Sequence, residues 1–258
     1  MALPKAQIGQ IEEVLRSSLR NKIANYKPEP HSMPFHTRLL GKDRLELYSF
    51  IHSLNTNFGT TIFEPVAIVL SLHRFKIASR QVTVGEKISE QAQIEIQRIM
   101  DGLITAESDP NKPEEIERIR RVCQKGTMIT VKPTKVDLVV ESKAGELFLF
   151  DIKTAKPNMG DFKEFKRTLL EWVAITLAGN PNAEINTAVA IPYNPYAPNA
   201  YSRWTLRGML DLKHELLVAE EFWNFLGGNE AFENLLDAFE RVGIELRPEI
   251  DKAFEKFK

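Results

Sequence analysis

The chain of 258 residues lacks the features on which several common classes of protein depend. It has one cysteine, Cys123, which excludes an intramolecular disulfide and a Cys-rich zinc site. No apolar run approaches the roughly 20 residues of a membrane-spanning helix, and the N-terminus has charge where a signal peptide needs an apolar stretch. Its histidines are scattered without metal-ligand spacing, and no Gly-rich phosphate loop is present. We therefore expect a cytoplasmic protein that does not contact a membrane.

The net charge of −1 is small, but charge is distributed unevenly along the chain. Residues 215–258 contain eleven Asp and Glu and five Lys and Arg, a balance of −6 that leaves +5 on residues 1–214. A protein that binds DNA along one groove needs a local basic surface rather than a high overall pI. The distribution is compatible with such a surface, and solvated acidic faces on C-terminal helices explain it equally well.

Residues 1–125 have the pattern of amphipathic helices joined by short loops. Ser89 is a candidate N-cap, and Pro113 suits the first turn of a helix. A stretch with Pro and His residues, 27–36, is expected to form a loop. The segments predicted to be helical are 6–21, 43–72 with a break at 55–59, 89–100 and 113–124.

After residue 126 the chain alternates between strand-like runs and a helix. A helix is expected at 161–178, and its apolar stripe indicates one buried face. Strand, strand, strand, helix, strand predicts an α/β fold with a central mixed sheet flanked by helices, in a single domain. The tail, 206–257, is expected to be helical, with interruptions near Gly227 and Pro248. The runs predicted to be strands, rich in apolar and β-branched residues, are 128–131, 136–140, 147–152 and 185–191.

Acidic residues occur on two of these predicted strands. Asp137 lies in one of them, and Asp151 and Lys153 follow the apolar run 147–150 in the next. Side chains of a strand alternate between faces, so Asp151 and Lys153 should point the same way. The intervening residues 142–145 can turn the chain and bring the two strands side by side. We therefore expect two carboxylates and an ammonium group to converge.

These groups are suited to the hydrolysis of a phosphodiester with a divalent metal. Mg²⁺ prefers oxygen ligands, offsets developing negative charge and lowers the pKa of a coordinated water. We expect Asp137, Asp151 and the backbone carbonyl of Ile152 to bind Mg²⁺. Lys153 would orient or deprotonate the attacking water and stabilise the transition state. The alternative is a structural ion pair between Asp151 and Lys153, because a D-x-K triplet alone is common by chance.

The motifs around these residues resemble a known family. Val-Asp137-Leu-Val-Val, followed by Leu-Phe-Leu-Phe-Asp151-Ile-Lys153-Thr-Ala-Lys-Pro-Asn158, is similar to the core of the PD-(D/E)xK nucleases. More narrowly, the chain resembles type II restriction endonucleases of the TdeIII/MjaII kind. Val136 stands where the motif's name has Pro, a departure that many members share. The segments that support the narrower resemblance are 58–64, 191–196 and 221–228.

The resemblance implies a restriction endonuclease-like fold over residues 1–258. It divides the chain into a mostly helical part, 1–125, a catalytic core, 126–192, and a DNA-recognition loop with a helical tail, 193–258. It also implies Mg²⁺ as cofactor, and Glu64 as a further metal ligand on a helix that precedes the core sheet. The alternative for Glu64 is a carboxylate on the surface of that helix. The expected partners are double-stranded DNA, a second copy in a homodimer, and a cognate DNA methyltransferase in function rather than in contact. The expected activity is cleavage of both strands of a short palindrome, with GGNCC suggested by the specific relatives.

Basic and polar residues next to the core are candidates for contacts with the DNA backbone. Lys156 and Asn158 directly follow the metal-binding strand, so they can reach the same phosphate or its neighbour. Lys163, Lys166 and Arg167 on the next helix can make charge-assisted contacts with phosphates. For each of these side chains, a solvated helix face is an equally good explanation.

A second group of candidates lies in the segment after the last predicted strand. Its aromatic, amide and guanidinium groups suit base and backbone contacts, and arginine pairs well with guanine in the major groove. The alternative is that the aromatic rings pack the loop against the tail. The candidates in this segment are Asn194, Tyr196, Tyr201, Arg203 and Arg207.

Two other functions compete with a sequence-specific endonuclease. A structure-specific nuclease of repair or of DNA junctions would use the same site but would cut at branches or ends. A catalytically silent DNA-binding module would retain the fold without turnover. The presence of both acidic residues and of the lysine disfavours the silent module.

Overall fold

A central sheet with helices on both faces forms most of the structure. The computed structural model describes residues 3–26, 33–132, 135–153, 162–201 and 208–255. The helices of these ranges are α1 (Lys5–Asn25), α2 (Pro34–Leu40), α3 (Lys42–Phe58), a π-helical turn (Gly59–Phe63), α4 (Glu64–Ser71), α5 (Glu90–Ile104), α6 (Lys112–Arg120), α7 (Phe162–Gly179), α8 (Glu220–Gly227) and α9 (Ala231–Glu255). The strands are β1 (Ile77–Thr83), β2 (Lys87–Ser89), β3 (Met128–Thr130), β4 (Lys135–Glu141), β5 (Leu147–Ile152), β6 (Ile185–Ile191) and β7 (Leu216–Val218).

The central sheet is mixed, and its strand order is β1-β4-β5-β6-β7. β1, β4 and β5 are antiparallel neighbours, whereas β6 and β7 continue the sheet in parallel with β5. The parallel pairing of β5 with β6 requires a crossover, and α7 supplies it. The predicted mixed α/β architecture with flanking helices is confirmed. No helix in the described ranges is long and apolar enough to cross a membrane.

Apolar side chains fill both faces of the sheet because alternate residues of a buried strand point to opposite sides. On β6, Val189 and Ile191 pack with α5, α6 and α7, whereas Ala188 and Ala190 pack with α1, α4, α8 and α9. The apolar stripe predicted for α7 is buried, as expected. The sheet is therefore covered on both sides, and polar groups can meet solvent at its strand ends.

Local signals explain several helix boundaries. Ser89 caps α5 as predicted, and its hydroxyl accepts a hydrogen bond of 3.0 Å from the N–H of Ala92. The predicted break at 55–59 is wrong, because α3 runs to Phe58 and passes through the π-helical turn into α4 without interruption. Within the predicted loop 27–36, residues 27–32 lie outside the described ranges, and the chain is already helical from Pro34.

Three strands are absent from the sequence prediction. β1 and β7 are the edge strands of the central sheet, and β2 pairs with β3 in a separate two-stranded sheet. The strand predicted at 128–131 therefore lies outside the central sheet. The interruption predicted at Pro248 is also wrong, because α9 continues through it. Neighbouring turns of α9 bury Val242 and Leu246, and this packing offsets the hydrogen bond that proline cannot donate.

Candidate active site

The candidate site lies where β4 and β5 separate. Their antiparallel pairing ends at Leu138 and Phe150, one residue short of the two aspartates. Beyond that point the carboxylate of Asp137 links the strands, because its Oδ2 accepts a hydrogen bond of 2.9 Å from the N–H of Ile152. Where the backbone pairing of the two strands stops, this side-chain hydrogen bond still joins them. It fixes the Asp137 carboxylate beside Asp151.

Asp151 and Lys153 point to the same side of β5, as the alternation of a strand predicts. The Nζ of Lys153 lies 2.7 Å from Oδ1 of Asp151. The Lys153 ammonium also lies 4.8 Å from the ring centroid of Phe165 on α7, where the ring face attracts it. The Lys153 side chain is 31% exposed, whereas the Asp151 side chain is only 9% exposed. The lysine is therefore partly accessible to solvent, although the carboxylate with which it pairs is almost fully buried.

Glu64 joins this group from the first turn of α4. It is 2% exposed, and its Oε1 accepts a hydrogen bond of 2.9 Å from the side-chain amide of Gln81 on β1. The same amide nitrogen donates to Oδ1 of Asp137 at 3.1 Å. Glu64 and Asp137 thus share one hydrogen-bond donor although they belong to different elements. The structure brings together Glu64, Asp137, Asp151 and Lys153.

Burial of several acidic groups changes their ionisation. Burial raises the pKa of Asp151 to about 6, the Asp137 carboxylate contributes to the rise, and Lys153 opposes it. Burial also raises the pKa of Glu64, and the Asp137 carboxylate adds to this effect. Ionising these carboxylates is costly in the protein alone, and a cation bound next to them would stabilise their ionised form.

The donor atoms of the site fit a hard cation such as Mg²⁺. Oε2 of Glu64 is buried and has no hydrogen-bond partner in the described part of the chain, and the nearest guanidinium nitrogen, of Arg80, is 3.7 Å away. A buried carboxylate oxygen without a partner is costly unless a cation or water satisfies it. Within the described ranges, however, no group of three or more His, Cys, Asp or Glu side chains is arranged as a ready metal site. The side chains thus have the oxygen atoms that Mg²⁺ prefers, and hydrogen bonds and an ion pair within the site keep them in place.

Gln81 is a residue of the site that the sequence pattern did not indicate. It lies in β1, a strand with polar residues and no buried position, which the apolar pattern does not reveal. Its proximity to the site follows from the register of β1 on β4, where the flanking pairs Arg80–Leu138 and Val82–Val136 set it opposite Asp137.

The prediction that Lys166 contacts DNA is corrected by the structure. Its side chain is fully buried, and its ammonium group lies 2.5 Å from Glu115 and 2.6 Å from Glu215. Lys112 lies 2.8 Å from the other oxygen of Glu215, so two lysines and two glutamates form a buried network of ion pairs. Burial by itself would raise the pKa of Glu215, but the Lys112 and Lys166 ammonium groups lower it below its usual value. Lys166 is therefore part of the core between α6, α7 and the segment before β7.

The other candidates on α7 remain at its surface. Lys163 is exposed and Arg167 is half-buried. A guanidinium nitrogen of Arg167 donates a hydrogen bond of 2.7 Å to the side-chain oxygen of Gln97. Lys163 is accessible to a phosphate, whereas Arg167 must exchange this contact to reach one.

The loop after β6 is organised largely by its own contacts. The side chain of Asn194 accepts from the N–H of Tyr196 at 2.9 Å and donates to the carbonyl of Asn199 at 2.8 Å. The rings of Tyr196 and Tyr201 form an edge contact with centroids 5.8 Å apart. These contacts favour loop packing as one role of Asn194, Tyr196 and Tyr201. Four further candidates, Lys156, Asn158, Arg203 and Arg207, lie outside the described residues.

Comparison with known proteins agrees with this fold. A family model described as type II restriction endonuclease, HinfI, matches residues 3–243. The chain is 26% identical to the type II restriction enzyme HgiCII of Herpetosiphon aurantiacus over 227 residues, which cover 85% of this chain and 80% of that protein. It is 27% identical to the type II restriction enzyme MjaII of Methanocaldococcus jannaschii over 253 residues, or 87% of this chain and 65% of that protein. The resemblance predicted from the sequence is thereby confirmed, and the chain belongs to the type II restriction endonuclease family.

Proposed function

We propose that this protein is a Mg²⁺-dependent endonuclease that hydrolyses phosphodiester bonds at a specific sequence in double-stranded DNA. The observation that carries the proposal is the convergence of Glu64, Asp137, Asp151 and Lys153 where β4 and β5 separate. Membership of the type II restriction endonuclease family supports a DNA substrate. The expected place of action is the cytoplasm, where such an enzyme meets incoming DNA.

The carboxylates and the lysine have complementary roles in this reaction. When bound, Mg²⁺ offsets the charge of the phosphate and acidifies a coordinated water. Asp137, Asp151 and Glu64 would hold the cation, together with the backbone carbonyl of Ile152. Lys153 would keep its ammonium beside the attacked phosphate, where it orients the water and stabilises the added negative charge. The partial exposure of Lys153 supports this role, because a DNA phosphate can reach it from solvent.

We further propose that the enzyme acts as a homodimer on a palindrome. The helices α2 and α3 support this, because the rest of the described chain leaves apolar side chains on them uncovered: Phe35 is 84% exposed and Leu39 is 82% exposed. The seven-residue helix α2 buries none of its residues, and so short a helix is marginal without packing. Segment 33–58 is close to neutral, with three Arg or Lys and two Asp or Glu, which favours a protein partner over DNA. A two-fold symmetric substrate requires two sites related by the same symmetry.

The recognition sequence proposed first is GGNCC. If it is correct, digestion of a sequenced phage genome by the purified protein with Mg²⁺ gives discrete fragments whose ends share that sequence. Fragment ends that share a different sequence would support the sequence-specific endonuclease and would show that its recognition sequence is not GGNCC. Cuts only at branches or ends would favour a structure-specific repair nuclease. Methylation of the recognition sequence by a cognate methyltransferase should block cleavage.

The site residues are tested by single substitutions in the same digestion. Asp137→Ala, Asp151→Ala and Lys153→Ala should each abolish cleavage, while a gel-shift assay with the same DNA still detects binding. Asp109→Ala, at an exposed carboxylate, is the control and should cut normally. Normal cleavage by any of the three site variants would contradict the assignment. Absence of cleavage by the wild type on every DNA, with binding retained, would favour a silent DNA-binding module.

A further inference from the structure

Gln81 occupies an unusual position on β1. The register of β1 with β4 places it opposite Asp137, and this is the pair at which the ladder between Ile77 and Thr83 is interrupted. Its backbone has a φ of 54°, in the left-handed region that residues other than glycine rarely adopt. Such a conformation persists only where surrounding contacts hold it, and it occurs preferentially at functional sites.

The side chain of Gln81 donates hydrogen bonds to two carboxylates of the candidate site. Its amide nitrogen lies 2.9 Å from Oε1 of Glu64 and 3.1 Å from Oδ1 of Asp137. An amide NH₂ has two hydrogens, so both of its donors are used. The carboxylates accept only, so the nitrogen rather than the oxygen of the amide faces them. Gln81 therefore bridges an acid on α4 and an acid on β4.

A neutral donor is the side chain best suited to this bridge. Glu64 and Asp137 repel each other when ionised, because their carboxylate oxygens lie against the same amide nitrogen. A lysine or arginine in place of Gln81 would neutralise the carboxylates and compete with a cation, and a further carboxylate would add repulsion. The amide holds the acids together and leaves their negative charge in place. It also leaves Oε2 of Glu64 without a hydrogen bond among the described residues.

We propose that Gln81 is a positioning residue that holds Glu64 and Asp137 at the separation needed to bind the divalent cation. The inference rests on the proposed function, because it concerns the same cation site. Groups that hydrogen-bond to metal ligands fix their orientation, and loss of one such group typically weakens metal binding by about 10–100-fold. Gln81 itself does not need to touch the cation or the DNA.

Gln81→Met tests the bridge with little change in side-chain length. Titration of the full-length variant with MgCl₂ in a calorimeter, without DNA, should give a dissociation constant about 10–100-fold above that of the wild type. Cleavage should require correspondingly more Mg²⁺, and kcat should return towards the wild-type value at saturating Mg²⁺. Gln93→Met, at an exposed glutamine of α5, is the matched control and should bind Mg²⁺ as the wild type does.

Gln81→Gly separates positioning from folding. Glycine adopts a φ of 54° without strain, so urea denaturation should show a fold at least as stable as that of Gln81→Met. Its Mg²⁺ affinity should nevertheless be as low as that of Gln81→Met, because both variants lack the amide. Wild-type Mg²⁺ affinity in either variant would overturn the inference.

A third variant distinguishes this inference from the proposed function. Asp151→Asn removes a proposed ligand and should abolish the calorimetric signal for Mg²⁺. If Asp151→Asn loses Mg²⁺ binding while Gln81→Met keeps it, the cation site stands and the role of Gln81 is wrong. If the wild type does not bind Mg²⁺ at all, the proposed cation site is wrong, and the inference about Gln81 is overturned with it.

Discussion

The strongest quantitative prediction concerns Asp151→Asn in the absence of metal. Asp151 is 6% exposed, and burial raises its pKa from 3.8 to about 6. The folded state therefore holds the Asp151 proton more tightly than the unfolded state. The contribution of Asp151 to the free energy of unfolding therefore falls as the pH rises from about 4 to about 6, and it remains at the lower value above that range. Asparagine has a similar shape and does not ionise, so the variant avoids this loss.

The size of the effect follows from the shift in pKa. A rise of about two pKa units corresponds to about 3 kcal/mol at pH 8 and to roughly half of that at pH 5, where the folded carboxyl is still protonated. For a protein of this size, each kcal/mol changes the Tm by about 2–4 °C. Metal-free Asp151→Asn should therefore melt about 6–12 °C above the wild type at pH 8. Its ion pair with Lys153 is lost, but that lysine is partly exposed and can be hydrated.

Thermal and urea unfolding with EDTA at about pH 5 and pH 8 would measure this difference. Saturating Mg²⁺ should then stabilise the wild type and leave Asp151→Asn unchanged, because the variant lacks the Asp151 carboxylate and no longer binds the cation. Asp109→Asn, at an exposed carboxylate, is the control and should show neither effect. A variant no more stable than the wild type at pH 8, or a gain that is the same at both pH values, would refute the reasoning.

Four further predictions concern other groups of the molecule. Lys153→Met should lower kcat at saturating Mg²⁺ by about 10²–10⁴-fold, the usual contribution of a group that assists proton transfer, and a loss below tenfold would contradict its role. Lys166→Met should reduce the free energy of unfolding in urea by about 3–5 kcal/mol, because it leaves the buried Glu115 without a lysine partner and Glu215 with Lys112 alone. Lys163→Met, its surface counterpart on α7, should leave stability unchanged and reduce the salt dependence of DNA binding by about one unit of slope, so the reverse pattern would refute both assignments. Phe35→Glu combined with Leu39→Glu should convert a dimer to a monomer in light scattering, and a wild type that is already monomeric would refute the proposed homodimer.

The central α/β core could be predicted because its signals are local. Runs of apolar and β-branched residues mark β4, β5 and β6, and the apolar stripe of α7 has helical spacing. The position of Asp137, Asp151 and Lys153 next to those runs was sufficient to predict that they converge. The spacing of apolar residues and the position of the acids along the chain were enough for this prediction, so no long-range contact had to be known.

The edge strands could not be predicted for the opposite reason. β1 has polar residues and no buried position, and β7 has three residues. Each is a strand because a neighbour offers it a hydrogen-bonding edge, which is a property of the assembled sheet. Gln81 was missed for this reason, since only the pairing of β1 with β4 brings it to the site.

The position of Lys166 shows that a charged residue on a helix does not always lie at the surface. It is four residues from Phe162 and three from Leu169, so helical spacing puts it on the buried face. Its positive charge suggested a surface role, because lysine is rarely buried without a partner. The acids that allow burial, Glu115 and Glu215, lie 51 and 49 residues away in sequence, so the helix alone gave no sign of them.

The buried network of Lys112, Lys166, Glu115 and Glu215 also constrains how this sequence can diverge. Its two positive and two negative groups cancel, and replacement of any one leaves an uncompensated charge in an apolar interior. Single substitutions should therefore be removed by selection, whereas joint replacement by apolar residues can be tolerated. Among relatives that share about a quarter of their residues with this chain, the four positions should be inherited together or lost together.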